Sequence, residues 1–351
     1  MADEKVEPET NPRVLLLAMV RKLPVHIWAN GQVVLPALPS FIDLYTESLS
    51  TIFASLGRVF SPSEVEHLRG ELKRELDAAF AESPYSKIIV DYKTDPQPST
   101  VLRYTVTRRV VTLGDEYAGW VKTRKPPLFG AHADAKVIDL ARSLGEPATV
   151  AVLDVGAGTG RNTIPLARAG FATDAVELAP ALAAVLREEL QKAGLSARVF
   201  EGNALDPKLE IPARHYGLVF LAEVVASHFD SAQLRTLFER ASEWLAPGGL
   251  LLFSVFVTAD GYEPDSLARE FSELALSVMF NRSELEAAAA GLPFTMVSDE
   301  STHDYEREHL DASAWPPTGW FVEWSRGRDL FDVPADKSPL SLRWLVYRRE
   351  P

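Results

Sequence analysis

The sequence predicts an α/β protein: a doubly wound, mostly parallel sheet that follows a smaller N-terminal α+β region. Three observations carry that expectation. From about residue 131 onward, apolar runs such as T-V-A-V-L-D-V and G-L-V-F-L-A-E alternate with amphipathic stretches such as P-A-L-A-A-V-L-R-E-E-L-Q-K-A. Strands buried on both faces read as near-continuous apolar runs, and parallel neighbours need a helical crossover between them. The first of these runs also ends in alternate glycines, D-V-G-A-G-T-G at 154–160. Residues before about 125 lack the alternation.

The elements follow in order. The opening M-A-D-E-K-V-E-P-E-T-N-P is acidic and proline-containing, which predicts a disordered tail over 1–12. The run V-L-L-L-A-M-V at 14–20 is too short to span a bilayer. The residues before it are acidic where a signal peptide is basic, so a cytoplasmic location is expected. Asn30-Gly31 lies between two β-prone runs and predicts a hairpin. A helix is expected over about 39–56. A second starts after Ser61, with Pro62 at its first position and Glu64 in its first turn, and runs to about Glu82. Two strands, Y-S-K-I-I-V-D-Y and T-V-L-R-Y-T-V-T-R-R-V-V, flank the link D-P-Q-P-S.

The two prolines of R-K-P-P-L-F-G place a domain boundary near 125, since neither a helix nor a central strand accommodates them. Residues 13–125 then form an accessory domain (lid, substrate or dimerisation), with a homodimer through it as one expectation. Residues 126–351 form the main domain. It begins with a helix over D-A-K-V-I-D-L-A-R-S-L, and strands and helices alternate from there to L-L-L-F-S-V-F-V. An insertion without regular structure is expected at about 300–340.

Composition narrows the function. The 351 residues carry a formal net charge of −13, which disfavours a phosphate backbone or an anionic membrane as partner. Cysteine is absent, so disulfides, thiolate metal sites and cysteine nucleophiles are excluded. His303 and His309 are six residues apart and do not share a helical face, so with Asp304 they make a poor metal site; no metal is expected.

Ligands of doubly wound sheets bind beyond the carboxyl ends of the strands, where glycines let the backbone turn and approach closely. A dinucleotide fingerprint reads G-x-G-x-x-G. Here the spacing is G-x-G-x-G, and Arg161 stands where the third glycine would be. Asp154, before the loop, would repel a pyrophosphate but suits a cationic amino group. The next strand ends at Glu177, whose carboxylate can accept both hydroxyls of a ribose. That carboxylate fits either ligand; the acid before the glycines, Asp154, favours a nucleoside with an amino-acid tail over NAD.

At these residues the chain resembles the class I S-adenosylmethionine (SAM)-dependent methyltransferases. V-L-D-V-G-A-G-T-G-R-N is similar to their first motif, A-V-E-L to the strand carrying the ribose carboxylate, and L-A-P-G-G-L-L-L-F-S to the turn and strand after the fourth helix. G-R-N-T-I-P-L-A also resembles the tellurite-resistance and small-molecule branches. The resemblance implies a Rossmann-like seven-stranded sheet, six strands parallel and the last antiparallel. F-T-M-V-S and S-L-R-W-L-V-Y-R-R would form its final pair. It implies SAM as cofactor and S-adenosylhomocysteine as product. Gly156, Ala157, Gly158, Gly160 and Asn162 would form the donor loop, with Asp154 near the amino group. Glu177 would hold the ribose and Leu178 would flank the adenine. Asn203 and Ala204 (or, less well, Asp206) would meet its amino group, and Glu223 would border the methyl donor.

Acceptors of this family lie after the fourth strand, here A-E-V-V-A-S-H-F. The Asn/Asp-Pro-Pro-Tyr of the branches that methylate DNA bases and glutamine is missing there. His228 is the candidate base, because imidazole titrates near neutrality; Glu223 is the second catalytic candidate. Tyr117, Trp120, Arg124 and Phe129 precede the first helix of the repeat and are candidate substrate contacts, with His132 a weaker one. Their bland reading is a hydrophobic seam. Tyr262, before a helix after the fifth strand, is a further candidate in a cap over the acceptor. Trp315, Trp320 and Trp324 either pack the insertion down or line an acceptor pocket.

The expected function is SAM-dependent methyl transfer to a small molecule at O, N, C or S. Protein or peptide methylation, a non-catalytic SAM-fold binding or dimerisation protein, and an NAD-dependent oxidoreductase are the alternatives.

Overall fold

The computed structural model describes residues 10–22, 28–95 and 101–351. Most of the expected tail, the first half of the expected hairpin and the proline-rich link lie outside the described residues. The chain divides into two compact units. One takes residues up to Ala81 together with Ser86–Arg109; the other takes Glu82–Tyr85 and Val110–Pro351.

In the first unit, α1 (Pro12–Lys22) precedes β1 (Asn30–Pro36), α2 (Ile42–Ser55), α3 (Pro62–Glu82), β2 (Lys87–Asp95) and β3 (Val101–Arg109). The strands form an antiparallel sheet in the order β1-β2-β3. Leu68, Leu72 and Leu76, four residues apart on one face of α3, are buried with Leu49 and Phe53 of α2 and with Ile88 and Val90. Ser61 and Glu64 cap α3 reciprocally: Ser61 N–H donates to Glu64 Oε2 at 2.8 Å, and Glu64 N–H to Ser61 Oγ at 3.4 Å.

Asn30-Gly31 is not a hairpin turn. Both residues lie within β1, opposite Lys93 and Tyr92. A Cβ on Gly31 would come within 2.6 Å of the Tyr92 hydroxyl. The glycine therefore makes room for a cross-strand aromatic side chain rather than for a turn.

The second unit begins with α4 (Leu113–Thr123), α5 (Ala135–Ser143), β4 (Ala151–Val155), α6 (Thr163–Arg168), β5 (Ala172–Glu177) and α7 (Pro180–Lys192). It continues through β6 (Arg198–Glu201), β7 (Tyr216–Leu221), α8 (Val224–His228), α9 (Ser231–Trp244), β8 (Leu245–Thr258) and α10 (Ser266–Leu274). It ends with β9 (Met279–Phe280), α11 (Arg282–Ala289), β10 (Phe294–Ser301), α12 (Thr302–His309), α13 (Phe321–Trp324) and β11 (Leu340–Arg349).

The main sheet runs β10-β11-β8-β7-β4-β5-β6. All pairs are parallel except those made by β11, which is antiparallel to both neighbours. This is the expected six-plus-one arrangement. The two-residue β9, paired parallel with Phe256 and Val257 of β8, adds a short eighth strand. Alternation along β11 shows both faces covered. Leu345 and Tyr347 pack with Phe238 and Trp244 of α9, while Trp344 and Val346 pack with Val137 and Ala141 of α5.

Two expectations change. The units part at Val110, not near 125, because α4 belongs with the second unit. The Tyr117 ring on α4 packs edge-on against Phe129 and His228 at 5.9 Å. The insertion at about 300–340 also contains regular structure, α12 and α13. α12 is capped by Ser301 Oγ, which accepts from Asp304 N–H at 3.2 Å. Its buried anchor is an acid, Glu306, so no apolar stripe announces the helix.

Candidate functional site

The site begins where β4 runs out. Gly156 has φ +78°, Gly158 +57° and Gly160 +93°, backbone states that side-chain-bearing residues adopt at a cost of about 1–2 kcal/mol. Gly156 N–H and Ala157 N–H donate to Val176 O at 2.8 and 3.1 Å, folding the loop over the end of β5. A Cβ on Gly156 would lie 2.3 Å from Val224 Cγ2, and one on Gly158 would lie 3.3 Å from the Phe129 ring. Gly160 differs: a Cβ there would meet Leu186 at 2.6 Å and Ile164 at 2.9 Å. It serves helix packing beneath the loop and lies off the cavity wall.

Glu177 ends β5 and ties this loop to α7. Gly158 N–H donates to its Oε2 at 2.7 Å and Ala179 N–H to its Oε1 at 2.8 Å. Burial pushes its carboxyl above the ordinary value, against the lowering effect of these amides. A carboxylate offers about four acceptor positions, so with the Leu178 amide also lowering its carboxyl about one remains for a ligand. Asp154 is buried beneath the loop, its Oδ2 accepting from Thr163 Oγ1 at 2.6 Å. Desolvation pushes it up to about 7. Asn203 follows β6, and its Oδ1 accepts from Leu205 N–H at 2.9 Å, fixing the turn that bears Ala204.

Arg161 is the residue whose importance the sequence hid. Its guanidinium, 7% exposed, pairs with Asp134 at 3.0 Å and Glu223 at 2.8 Å. Asn162 pairs twice with Asp134, donating Nδ2–H to Oδ2 at 2.8 Å and accepting Asp134 N–H at 2.9 Å. Glu306 of α12 receives Ala135 N–H, Lys136 N–H and Trp344 Nε1–H. Glu223 holds φ +65° at the end of β7, and its N–H donates to Ser254 Oγ at 2.7 Å. Burial raises its carboxyl while Arg161 opposes the rise.

His228 ends α8 with both ring nitrogens engaged. Tyr117 Oη is 2.8 Å from Nε2 and Tyr85 Oη is 3.1 Å from Nδ1. Burial drives the imidazole down to about 4, so it is neutral at pH 7. Burial raises both tyrosine hydroxyls, which keep their protons.

These parts share one cavity of about 440 Å³. Asp154, Gly156, Ala157, Gly158 and Asn162 line one part of it, Glu177, Leu178, Asn203 and Ala204 another. Glu223, His228, Tyr117, Trp120, Arg124 and Phe129 complete the wall, with Trp320 and Trp324 beside them. The Arg124 guanidinium lies over Trp120, its carbon 3.5 Å from the ring centroid. The tryptophans of the insertion thus divide: Trp320 and Trp324 face the cavity, while Trp315 packs edge-on against His303 and Phe321.

Other candidates lie elsewhere. Tyr262 packs against Phe331 and does not line the cavity. The helix after it, α10, does not reach the cavity; Ala275 and Leu276, just past its end, do. His132 lines a shallower neighbouring depression. Asp206 caps its own turn at Lys208 N–H. His303 binds Asp304 and His309 binds the Tyr305 carbonyl, so the two histidines do not meet. Sequence reasoning missed Tyr85, Asp134 and the role of Arg161. Only the place of Arg161 in the glycine motif gave a signal.

Residues 152–249 match a family model described as a methyltransferase domain. No curated protein sequence matches the chain. Among solved structures, a Galdieria sulphuraria protein described as a sarcosine dimethylglycine methyltransferase is 17% identical with a TM-score of 0.50. It covers 68% of this chain and 98% of its own. Phosphoethanolamine N-methyltransferase 2 of Haemonchus contortus is 15% identical with a TM-score of 0.50, covering 72% and 64%. Geranyl diphosphate C-methyltransferase of Streptomyces coelicolor A3(2) is 17% identical with a TM-score of 0.47, covering 61% and 78%. At these identities the likeness concerns the fold. The family match, the glycine loop and the strand order together identify residues 152–249 as a methyltransferase domain on the class I SAM-dependent fold, a family of enzymes whose cofactor is S-adenosylmethionine.

Proposed function

We propose that this chain transfers a methyl group from SAM to a small-molecule acceptor, with His228 and Tyr117 receiving the acceptor's proton. The observation that carries this is the single cavity joining the glycine loop and Glu177 to the His228–Tyr117 pair. A cleft of about 440 Å³ lies in the size range of small-molecule sites and suits a small acceptor better than a folded protein.

When bound, SAM supplies an activated methyl carbon on a cationic sulfur. The residues present fit it. Glu177 has an acceptor position left that would take the ribose, Leu178 and Ala204 would flank the adenine, and Asp154 would attract the amino group. Gly156 and Gly158 leave space that a Cβ would fill. The rings of Tyr117 and Phe129 would exclude water and stabilise positive charge, while Trp120 already carries the Arg124 guanidinium. Glu223 is bound to Arg161, so it shapes the donor site rather than acting as a base. The neutral His228 takes the proton role, and it is needed only if the acceptor must lose a proton. The NAD reading loses support because Asp154 lies directly under the loop where a pyrophosphate would sit.

Calorimetry tests this reading. The chain should bind SAM and S-adenosylhomocysteine but not NAD. Glu177→Ala should weaken both by roughly 10–100-fold, the worth of a charged hydrogen-bonding group. Binding of NAD alone would overturn it. The acceptor is sought by mass spectrometry, as a gain of one methyl group across a panel of small molecules.

A further inference from the structure

Tyr85 is not part of the cavity wall, yet its side chain is buried and its hydroxyl lies 3.1 Å from His228 Nδ1. It comes from the short segment Glu82–Tyr85 between α3 and β2, which belongs to the second unit. Ser83 anchors that segment by donating Oγ–H to the Val111 carbonyl at 2.7 Å. We propose that Tyr85 is a positioning residue of the transfer reaction, accepting the Nδ1–H of His228 and so turning the Nε2 lone pair toward Tyr117 and the cavity. This rests on the reading of His228 as proton acceptor.

A neutral imidazole has one N–H and one lone pair. Among the described residues only tyrosine hydroxyls bond its two nitrogens, and a hydroxyl can donate or accept. Two arrangements are therefore open to the pair. In one, Nε2–H donates to Tyr117 and Tyr117 presents its own proton to the cavity; the ring is then no base toward an acceptor. In the other, Nδ1–H donates to Tyr85, and Tyr117 donates its hydroxyl proton to Nε2. The Tyr117 oxygen then faces the cavity with lone pairs free.

Only the second arrangement moves a proton inward. The acceptor's proton passes to the Tyr117 oxygen as the Tyr117 proton passes to Nε2. Tyr117 is left neutral and His228 becomes an imidazolium still bonded through Nδ1–H to Tyr85. The bonding pair of the acceptor's broken bond to hydrogen stays on the acceptor as its nucleophile. Tyr85 thus fixes both the ring's orientation and its tautomer, without touching the acceptor.

Long-range ¹H–¹⁵N spectra of the full-length chain, ¹⁵N-labelled at histidine, read the tautomer directly. His228→Gln identifies the resonances. The wild type should show His228 with Nδ1 protonated and Nε2 bare. Tyr85→Phe keeps the ring but removes the acceptor, and should move the ratio toward Nε2–H by about fivefold or more, the worth of one neutral hydrogen bond. Tyr117→Phe should leave Nδ1–H dominant. A wild type already protonated at Nε2 overturns the proposal, as does a Tyr85→Phe protein with an unchanged tautomer. If Tyr85→Phe does not fold, the wild-type spectrum alone still decides. Calorimetry with S-adenosylhomocysteine on the same samples separates the two readings: failure to bind refutes the functional reading, whereas the tautomer result bears on Tyr85.

Discussion

Replacing Arg161 with methionine removes the one cation that, among the described residues, pairs with both Asp134 and Glu223. Arg161 is 7% exposed, Asp134 3% and Glu223 17%, so water cannot take over its role. Removing one partner of a buried ion pair costs about 3–5 kcal/mol, because the other charge stays buried and uncompensated. For a domain of this size that is a fall in Tm of roughly 6–10 °C at pH 7.5.

The loss should depend on pH. Burial already raises the folded-state carboxyl of Glu223, and Arg161 holds that rise down. Without Arg161 the folded value rises further. The folded protein then binds more protons than the unfolded chain between the ordinary value of 4.5 and the raised one. Stability in the variant therefore falls as pH rises through that window, and the deficit shrinks as pH falls back through it. Differential scanning fluorimetry of wild type and Arg161→Met from pH 5 to 8 measures this. A variant within 1 °C of wild type at pH 7.5, or a deficit that does not change with pH, would refute the account of the cluster.

Other outcomes follow from single residues. Gly156→Ala forces a side chain into φ +78° and against Val224 at 2.3 Å, so it should cost about 2–5 kcal/mol and abolish donor binding measured by calorimetry. Gly160→Ala meets Leu186 and Ile164 instead; it should lower Tm in fluorimetry while the folded fraction binds S-adenosylhomocysteine as wild type does. Because Asp154 is pushed up to about 7, its charged form is lost as pH falls, and SAM affinity should drop by about tenfold from pH 8 to 6. Asp154→Asn should flatten that dependence in the same titration.

Much of the fold was legible because it rests on local rules. Apolar runs that end at Val155, Glu177 and Leu221 and alternate with amphipathic helices specify a parallel sheet wherever they occur. Gly156 and Gly158 were legible for a similar reason: a chain that must turn sharply at a strand end leaves few alternatives to glycine. The same rule misled at Gly31, where the missing side chain serves Tyr92 across the sheet; Gly160 does turn, at φ +93°, but the space its missing side chain leaves is taken by Leu186 and Ile164. Sequence shows that a Cβ is absent but not which neighbour requires it.

By itself, then, the sequence determined the α/β class, the strand that ends in the glycine loop, and the pairing of that loop with an acid at Glu177. These depend on periodicity and backbone conformation, both written in adjacent residues. The tertiary structure decided which distant groups meet. It brought Tyr85 and Tyr117 to opposite nitrogens of His228, set Arg161 between Asp134 and Glu223, and carried Glu306 to the start of α5. It also moved Tyr262 away from the cavity and turned Trp320 and Trp324 toward it. Such contacts join residues as many as 171 positions apart. They exist only once the core has fixed where each helix and strand lies, and no local pattern encodes a partner at that distance.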